Sequence, residues 1–139
     1  MKRFALLACI AAFAVHAEDN PRQKAVDPKL TPAYRKCMEA NQSTPGMDDC
    51  VTAEFGIQDG RLNTVYKKLM RMFGADEPKR AESLRAAQKL WVQFRDANCT
   101  YVASEAEGGS MQPLEFNECK LTMTVERTTE LAGELGPEK

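Results

Sequence analysis

Apolar residues recur along this chain at intervals of three and four, and the longest such series predicts a helix ending near residue 73. Phe55, Asp59, Leu62, Tyr66, Leu69 and Phe73 form one helical stripe with a single charged member, Asp59. Gly74 follows as a helix-ending residue, and residues 75–78 make a turn. A second stripe, Leu84, Gln88, Trp91, Arg95, Asn98 and Val102, with Ala87 and Phe94 beside it, predicts a helix from about 78 to 102. Pro113 opens another through Leu121, Thr124, Val125, Thr128 and Leu131. Ahead of these, Thr31-Pro32 reads as an N-cap and first helical residue of a short helix carrying Tyr34, Cys37 and Met38. Thr44-Pro45 repeats that signal after the break at 41–46, placing Asp48 and Asp49 in the first turn of the long helix.

Connections this short make neighbouring helices antiparallel. The expected fold is all-α, a small helical bundle built on a long antiparallel helix hairpin. Gly56 and Gly60 lie inside the first arm, where each costs about 1 kcal/mol relative to alanine. Their one-turn spacing predicts a close approach by another helix. Asp59 lies 17 residues before Asp76 and Arg95 lies 19 after it, so the two are nearly level in the hairpin. A charge on a core-facing position must be paired, because unpaired desolvation costs several kcal/mol. An Asp59–Arg95 ion pair is therefore expected, with Asn63 and Gln88 satisfying the remaining groups. This polar cluster is read as a device that fixes helix alignment, since two helices without surrounding loops rarely make a cleft. Trp91 and the methionines Met38, Met70, Met72 and Met123 are read as packing residues.

The N-terminus changes the compartment. Met1-Lys2-Arg3 is basic, residues 4–15 are apolar, and Val15-His16-Ala17 ends in a cleavable pattern, so residues 1–17 read as a signal peptide. The apolar run is shorter than the about 20 residues that span a bilayer. Leu6-Leu7-Ala8-Cys9 loosely matches a lipoprotein site, but the apolar run before Cys9 falls short of the about 7 residues a signal core needs, so acylation there is not expected. Residues 18–30 are polar with two prolines and read as a flexible leader, 31–133 as the helical domain and 134–139 as a fraying tail. The expected location is periplasmic or secreted.

Cleavage also removes chemistry. The full chain of 139 residues has 19 Lys and Arg against 20 Asp and Glu; losing Lys2 and Arg3 leaves 17 against 20, a net charge of −3. His16 is the one histidine, so the mature chain has none, which excludes histidine-based general acid–base catalysis, histidine-activated nucleophiles and histidine metal ligation. Asp59, Asp96 and the glutamates fall on packed or solvated helix faces, unlike a glycosidase carboxylate pair. No catalytic, cofactor or metal site is expected, and an acidic chain without a basic stripe is not a nucleic-acid binder. Cys37, Cys50, Cys99 and Cys119 remain, an even set in an exported chain that reads as two disulfides. All four converge on one end of the bundle. Equal distances from the intervening turns favour Cys37–Cys50 and Cys99–Cys119, with the crossed pairings left open.

One segment carries two readings, a recognition element or a turn whose glycines merely satisfy its backbone geometry. The polar stretch 104–112 carries Glu105, Glu107, Gly108, Gly109 and Ser110 on a scaffold anchored by cysteines. These five are the partner-binding candidates.

Taken together, Cys50, the block Asp59-x-x-Leu62-Asn63-x-x-Tyr66, the block Gln88-x-x-Trp91-x-x-Phe94-Arg95-Asp96-x-x-Cys99, Gly108-Gly109-Ser110, Cys119, Thr124, Arg127 and Leu131 resemble the LprI-like lysozyme-inhibitor family. The resemblance runs from about Tyr34 to Leu131. It implies an exported bacterial all-helical domain with paired cysteines and, for some members, binding and inhibition of lysozyme. Some relatives are lipoproteins, from which a chain not acylated at Cys9 departs; Gly56 and Gly60 also depart from the family pattern. The expected partner is a protein, lysozyme first. The alternative is an immunity-type or scaffold protein with another periplasmic partner.

Overall fold

The computed structural model describes residues 29–136, so the signal segment, its cleavage site and Cys9 lie outside the described residues. Four helices follow in order: α1 Pro32–Ala40, α2 Thr44–Phe73, α3 Pro78–Ala103 and α4 Gln112–Gly133, with a 3₁₀ turn at Ser104–Ala106. Among the described residues the fold is all-α. Thr31 caps α1 by accepting from the Tyr34 amide. Helix α2 begins one residue earlier than its Thr-Pro signal indicates. Ser43 is the N-cap, accepting from the Gly46 amide, and Thr44 and Pro45 are already helical. Proline is tolerated there because the first amides of a helix have no intrahelical partner. Asp48 and Asp49 consequently fall beyond the first turn. Gly74 ends α2 with φ of 49°, and its amide bonds to the Met70 carbonyl.

The α2–α3 hairpin is completed by α4. This helix packs most extensively on α2 and next on α3, while α2 and α3 touch each other sparsely. Asn117 near the start of α4 bonds to Asp48 near the start of α2 at 2.8 Å, and Leu131 near its end packs with Leu69 and Phe73, so α4 runs parallel to α2. Two apolar clusters result. One joins Leu62, Leu69, Phe73, Ala81 and Leu131, with Trp91, Tyr66 and Leu135 against it. The other joins Val51, Leu114, Leu121 and Val125, with Leu30, Tyr34 and Phe55 against it.

The docking of α4 rotates the buried face of α2 away from the expected stripe. Val51, Glu54, Gln58, Leu62, Leu69 and Phe73 are buried, whereas Phe55, Asp59 and Tyr66 turn toward the loosely covered α3 side and are only partly buried. Phe55 is covered by cations, with the Lys120 ammonium 4.4 Å from its ring centroid and the Arg95 guanidinium 5.4 Å away. Two expectations are corrected. No helix approaches Gly56 or Gly60, since a Cβ at either would meet nothing within 4 Å. Val102 and Met72 are exposed rather than packed, because α4 covers the Arg95–Cys99–Ala103 side of α3 and leaves the far side of α2 to solvent. Trp91 packs at the margin of the core, half-buried.

Both disulfides join consecutive helices. Cys37–Cys50 links α1 to α2 and Cys99–Cys119 links α3 to α4, with Cα separations of 5.7 and 5.5 Å. At the chain ends, Leu30 packs into the second cluster, and Glu134 pairs with Arg80 at 3.0 Å.

Candidate functional site

The acidic segment between α3 and α4 is a tied turn. The Glu107 amide bonds to the Ser104 carbonyl, the Gly109 amide to the Ala106 carbonyl at 2.9 Å, and the Gln112 amide to the Gly109 carbonyl. The Gln112 side chain accepts from the Gly108 amide at 3.2 Å. Gly108 has φ of 73°, a conformation that favours glycine, and a Cβ at Gly109 would come within 3.1 Å of the Ala106 carbonyl oxygen. Glu105, Glu107, Gly108, Gly109 and Ser110 are all exposed. The Cys99–Cys119 disulfide holds the flanking helices together, and Thr44 donates to the Met111 sulfur, so the turn sits beside the start of α2.

Next to this turn lies a surface that the periodicity did not isolate. Leu90, Phe94 and Tyr101 are 64%, 60% and 75% exposed, and with exposed Ala97 they recur at intervals of four, three and four. They form an apolar stripe along the outer face of α3, and Val102 and Met111 add exposed apolar area near the turn. Helix α3 thus carries apolar residues on two faces, and i, i+4, i+7 spacing looks the same whether a face is covered or bare. An exposed stripe of this kind, with aromatic side chains and a charged rim, has the make-up of a protein-binding surface.

The four residues of the polar cluster do meet, but not as a sealed core pair. Asp59, Asn63, Gln88 and Arg95 line an open groove of about 390 Å³ between α2 and α3. Arg95 is buried and Asp59 is 42% exposed, with 3.8 Å between Arg95 NH1 and Asp59 Oδ1. Closer partners hold the guanidinium: Asp96 Oδ1 at 2.9 Å from α3 itself, and Thr124 Oγ1 at 3.4 Å from α4. The Arg95 guanidinium also lies 5.2 Å from the Trp91 ring centroid. Asn63 donates to Asp59 at 3.1 Å. Gln88 serves a different cation, its Oε1 accepting from Arg127 of α4 at 3.1 Å. Leu62 and Tyr66 from α2, and Arg85, Lys89 and Val92 from α3, complete the lining.

A second polar group is fully buried and escaped the sequence reading. Glu54 accepts from the Thr31 amide at 3.0 Å, the Thr31 hydroxyl at 2.6 Å and the Gln58 amide nitrogen at 2.7 Å. Gln58 and Arg61 also donate to the Lys29 carbonyl, and Lys29 contacts Thr129. These bonds fasten residues 29–31 onto α2 and α4. Tyr34, at the edge of this group, has its hydroxyl pKa raised by burial first and then by Glu118 and Glu54. Among the described residues, no group of three or more Cys, Asp or Glu is placed to hold a metal ion. None of the described helices is long and apolar enough to cross a membrane.

The family model described as Lysozyme inhibitor LprI matches residues 37–131. The chain belongs to the LprI family. The match begins at the first disulfide cysteine and takes in both disulfides, the groove, the α3 stripe and the acidic turn. An uncharacterized protein of Rhizobium meliloti (strain 1021) is 29% identical over 92 residues, which cover 59% of this chain and 66% of that protein. No solved structure matches the chain.

Proposed function

We propose that this LprI-family domain is an exported inhibitor of lysozyme that binds its target through the outer face of α3 and the turn that follows. The observation that carries the reading is the run of Leu90, Phe94 and Tyr101 toward Glu105 and Glu107, apolar anchors leading to a carboxylate rim. Aromatic residues supply much of the binding energy in protein interfaces, and surrounding charges set approach and orientation. Many lysozymes are strongly basic, so an acidic rim raises the rate of encounter. The turn is tied by its own hydrogen bonds and by Cys99–Cys119, so little conformational freedom is lost on binding. The family's extracytoplasmic setting agrees with the signal-like N-terminus.

The test is a cell-wall lysis assay in which oxidised protein, residues 18–139, is titrated against animal-type and other lysozymes. The expected result is dose-dependent inhibition. Phe94→Ala and Tyr101→Ala should each weaken it by about 30-fold if they act as interface anchors worth about 2 kcal/mol. Glu105→Lys with Glu107→Lys should slow association, more so at low salt. Absence of inhibition at about micromolar concentration, where useful inhibitors act, would refute the reading. Full inhibition by both alanine variants would instead remove the α3 face from it.

A further inference from the structure

The α2–α3 groove lies on a different face of α3 from the exposed stripe, and its chemistry points the other way. The chain is acidic overall, yet the groove is lined by Arg85, Lys89 and Arg95 against one carboxylate, Asp59. Asp59 is already engaged, by Asn63 at one oxygen and by Arg95 at the other. Arg95 is engaged by Asp59, Asp96 and Thr124. Arg85 and Lys89 are not: neither has a hydrogen bond or ion pair among the described residues. Two cations on adjacent turns of one wall thus have no partner among the described residues.

The hydrogen-bonding capacity has the same sign. Arg127 holds Gln88 by its oxygen, which leaves the –NH2 of Gln88 as the open group on the groove wall. Val92 and Tyr66 supply apolar area between these polar groups, with Leu62 buried beneath them. A volume of about 390 Å³ lies within the usual span of small-ligand sites. We propose that this groove is a binding site for a small carboxylate-bearing ligand, a short acidic peptide, whose carboxylate meets Arg85, Lys89 and the Gln88 amide while its chain lies on Tyr66 and Val92. The site is separate from the inhibitory surface, and its occupation does not depend on whether lysozyme is the target.

The test is an NMR titration of the ¹⁵N-labelled oxidised domain with N-acetyl-alanyl-glutamate, its uncharged bis-amide, and inorganic phosphate. The expected result is saturable shifts of the Gln88 and Asn63 side-chain amides with the acetylated peptide that are absent with the bis-amide and weaker with phosphate. Arg85→Glu with Lys89→Glu, both at non-core positions, should weaken binding at least about tenfold, the factor one lost charge-assisted hydrogen bond carries. The same variant should keep the parent amide spectrum away from the groove. Four results would overturn the site: no saturation at about 10 mM, the weakest affinity worth calling a site; equal shifts with the bis-amide; phosphate binding as tightly as the peptide; or unaltered binding by the charge-reversed variant.

Discussion

Replacing Glu54 by alanine removes the acceptor for three donors at once. The side chain is 1% exposed and takes bonds from the Thr31 amide, the Thr31 hydroxyl and the Gln58 amide. A buried donor left unpaired costs about 1–3 kcal/mol. Gln58 keeps its bond to the Lys29 carbonyl, and the two Thr31 donors are only partly buried, so water recovers part of the loss. The net expectation is a destabilisation of about 2–4 kcal/mol, a large fraction of the stability of a small domain. Glu54→Gln keeps one acceptor oxygen but sets an –NH2 against donors, so it should cost about 1–2 kcal/mol. Urea unfolding with both disulfides oxidised measures both variants against the parent, and m should stay constant. The opposing physics is the cost of burying a carboxylate, which no cation offsets among the hydrogen bonds described. Were that cost as large as the three bonds, Glu54→Ala would be neutral. A change below about 0.5 kcal/mol in both variants would refute the assignment of Glu54 as the fastening point of residues 29–31.

Gly56→Ala and Gly60→Ala meet open space on an exposed helical face, so each should stabilise the domain by about 1 kcal/mol, raising Tm by about 4–8 °C in thermal unfolding followed by circular dichroism. Opening either disulfide by paired Cys→Ala substitution should cost about 3 kcal/mol by the loop-closure argument, read from urea midpoints; the loops span 13 and 20 residues. The raised Tyr34 pKa means the fold favours the neutral phenol, so its contribution is fully present below the ordinary value of 10.0 and is lost as pH rises through the higher folded pKa. Tyr34→Phe should therefore flatten the alkaline fall in stability, measured by urea titration on either side of that pH.

The helices and both disulfide pairings were legible because their signals are local. Thr31-Pro32, Pro78 and Gly74 punctuate the chain by backbone chemistry alone, and each cysteine pairs across its nearest turn. Which face of each helix is buried was not local. Glu54 and Gln58 occupy the buried face of α2 because they bond to Thr31 and Lys29, a partnership set by where the chain enters α1. Nothing in the spacing distinguishes them from solvated residues. The apolar stripe of α3 failed for the reverse reason, since Leu90, Phe94 and Tyr101 obey core periodicity and no helix arrives to cover them. Register predicts Asp59, Asn63, Gln88 and Arg95 near one level, and all four line one groove, although Gln88 bonds Arg127 and not the others. Their groove depends on how far α4 holds α2 from α3, which only packing decides.

The two disulfides each close a loop within one half of the chain, α1 with α2 and α3 with α4, and neither crosses from half to half. Only the short connection between Phe73 and Pro78 joins the halves covalently. Oxidation can thus be completed in each half before the two meet, with no wrong partner of the other half required to let go. The same arrangement leaves the assembled domain topologically unlocked: the α3–α4 half of one molecule can dock on the α1–α2 half of another without any sulfur–sulfur bond being opened.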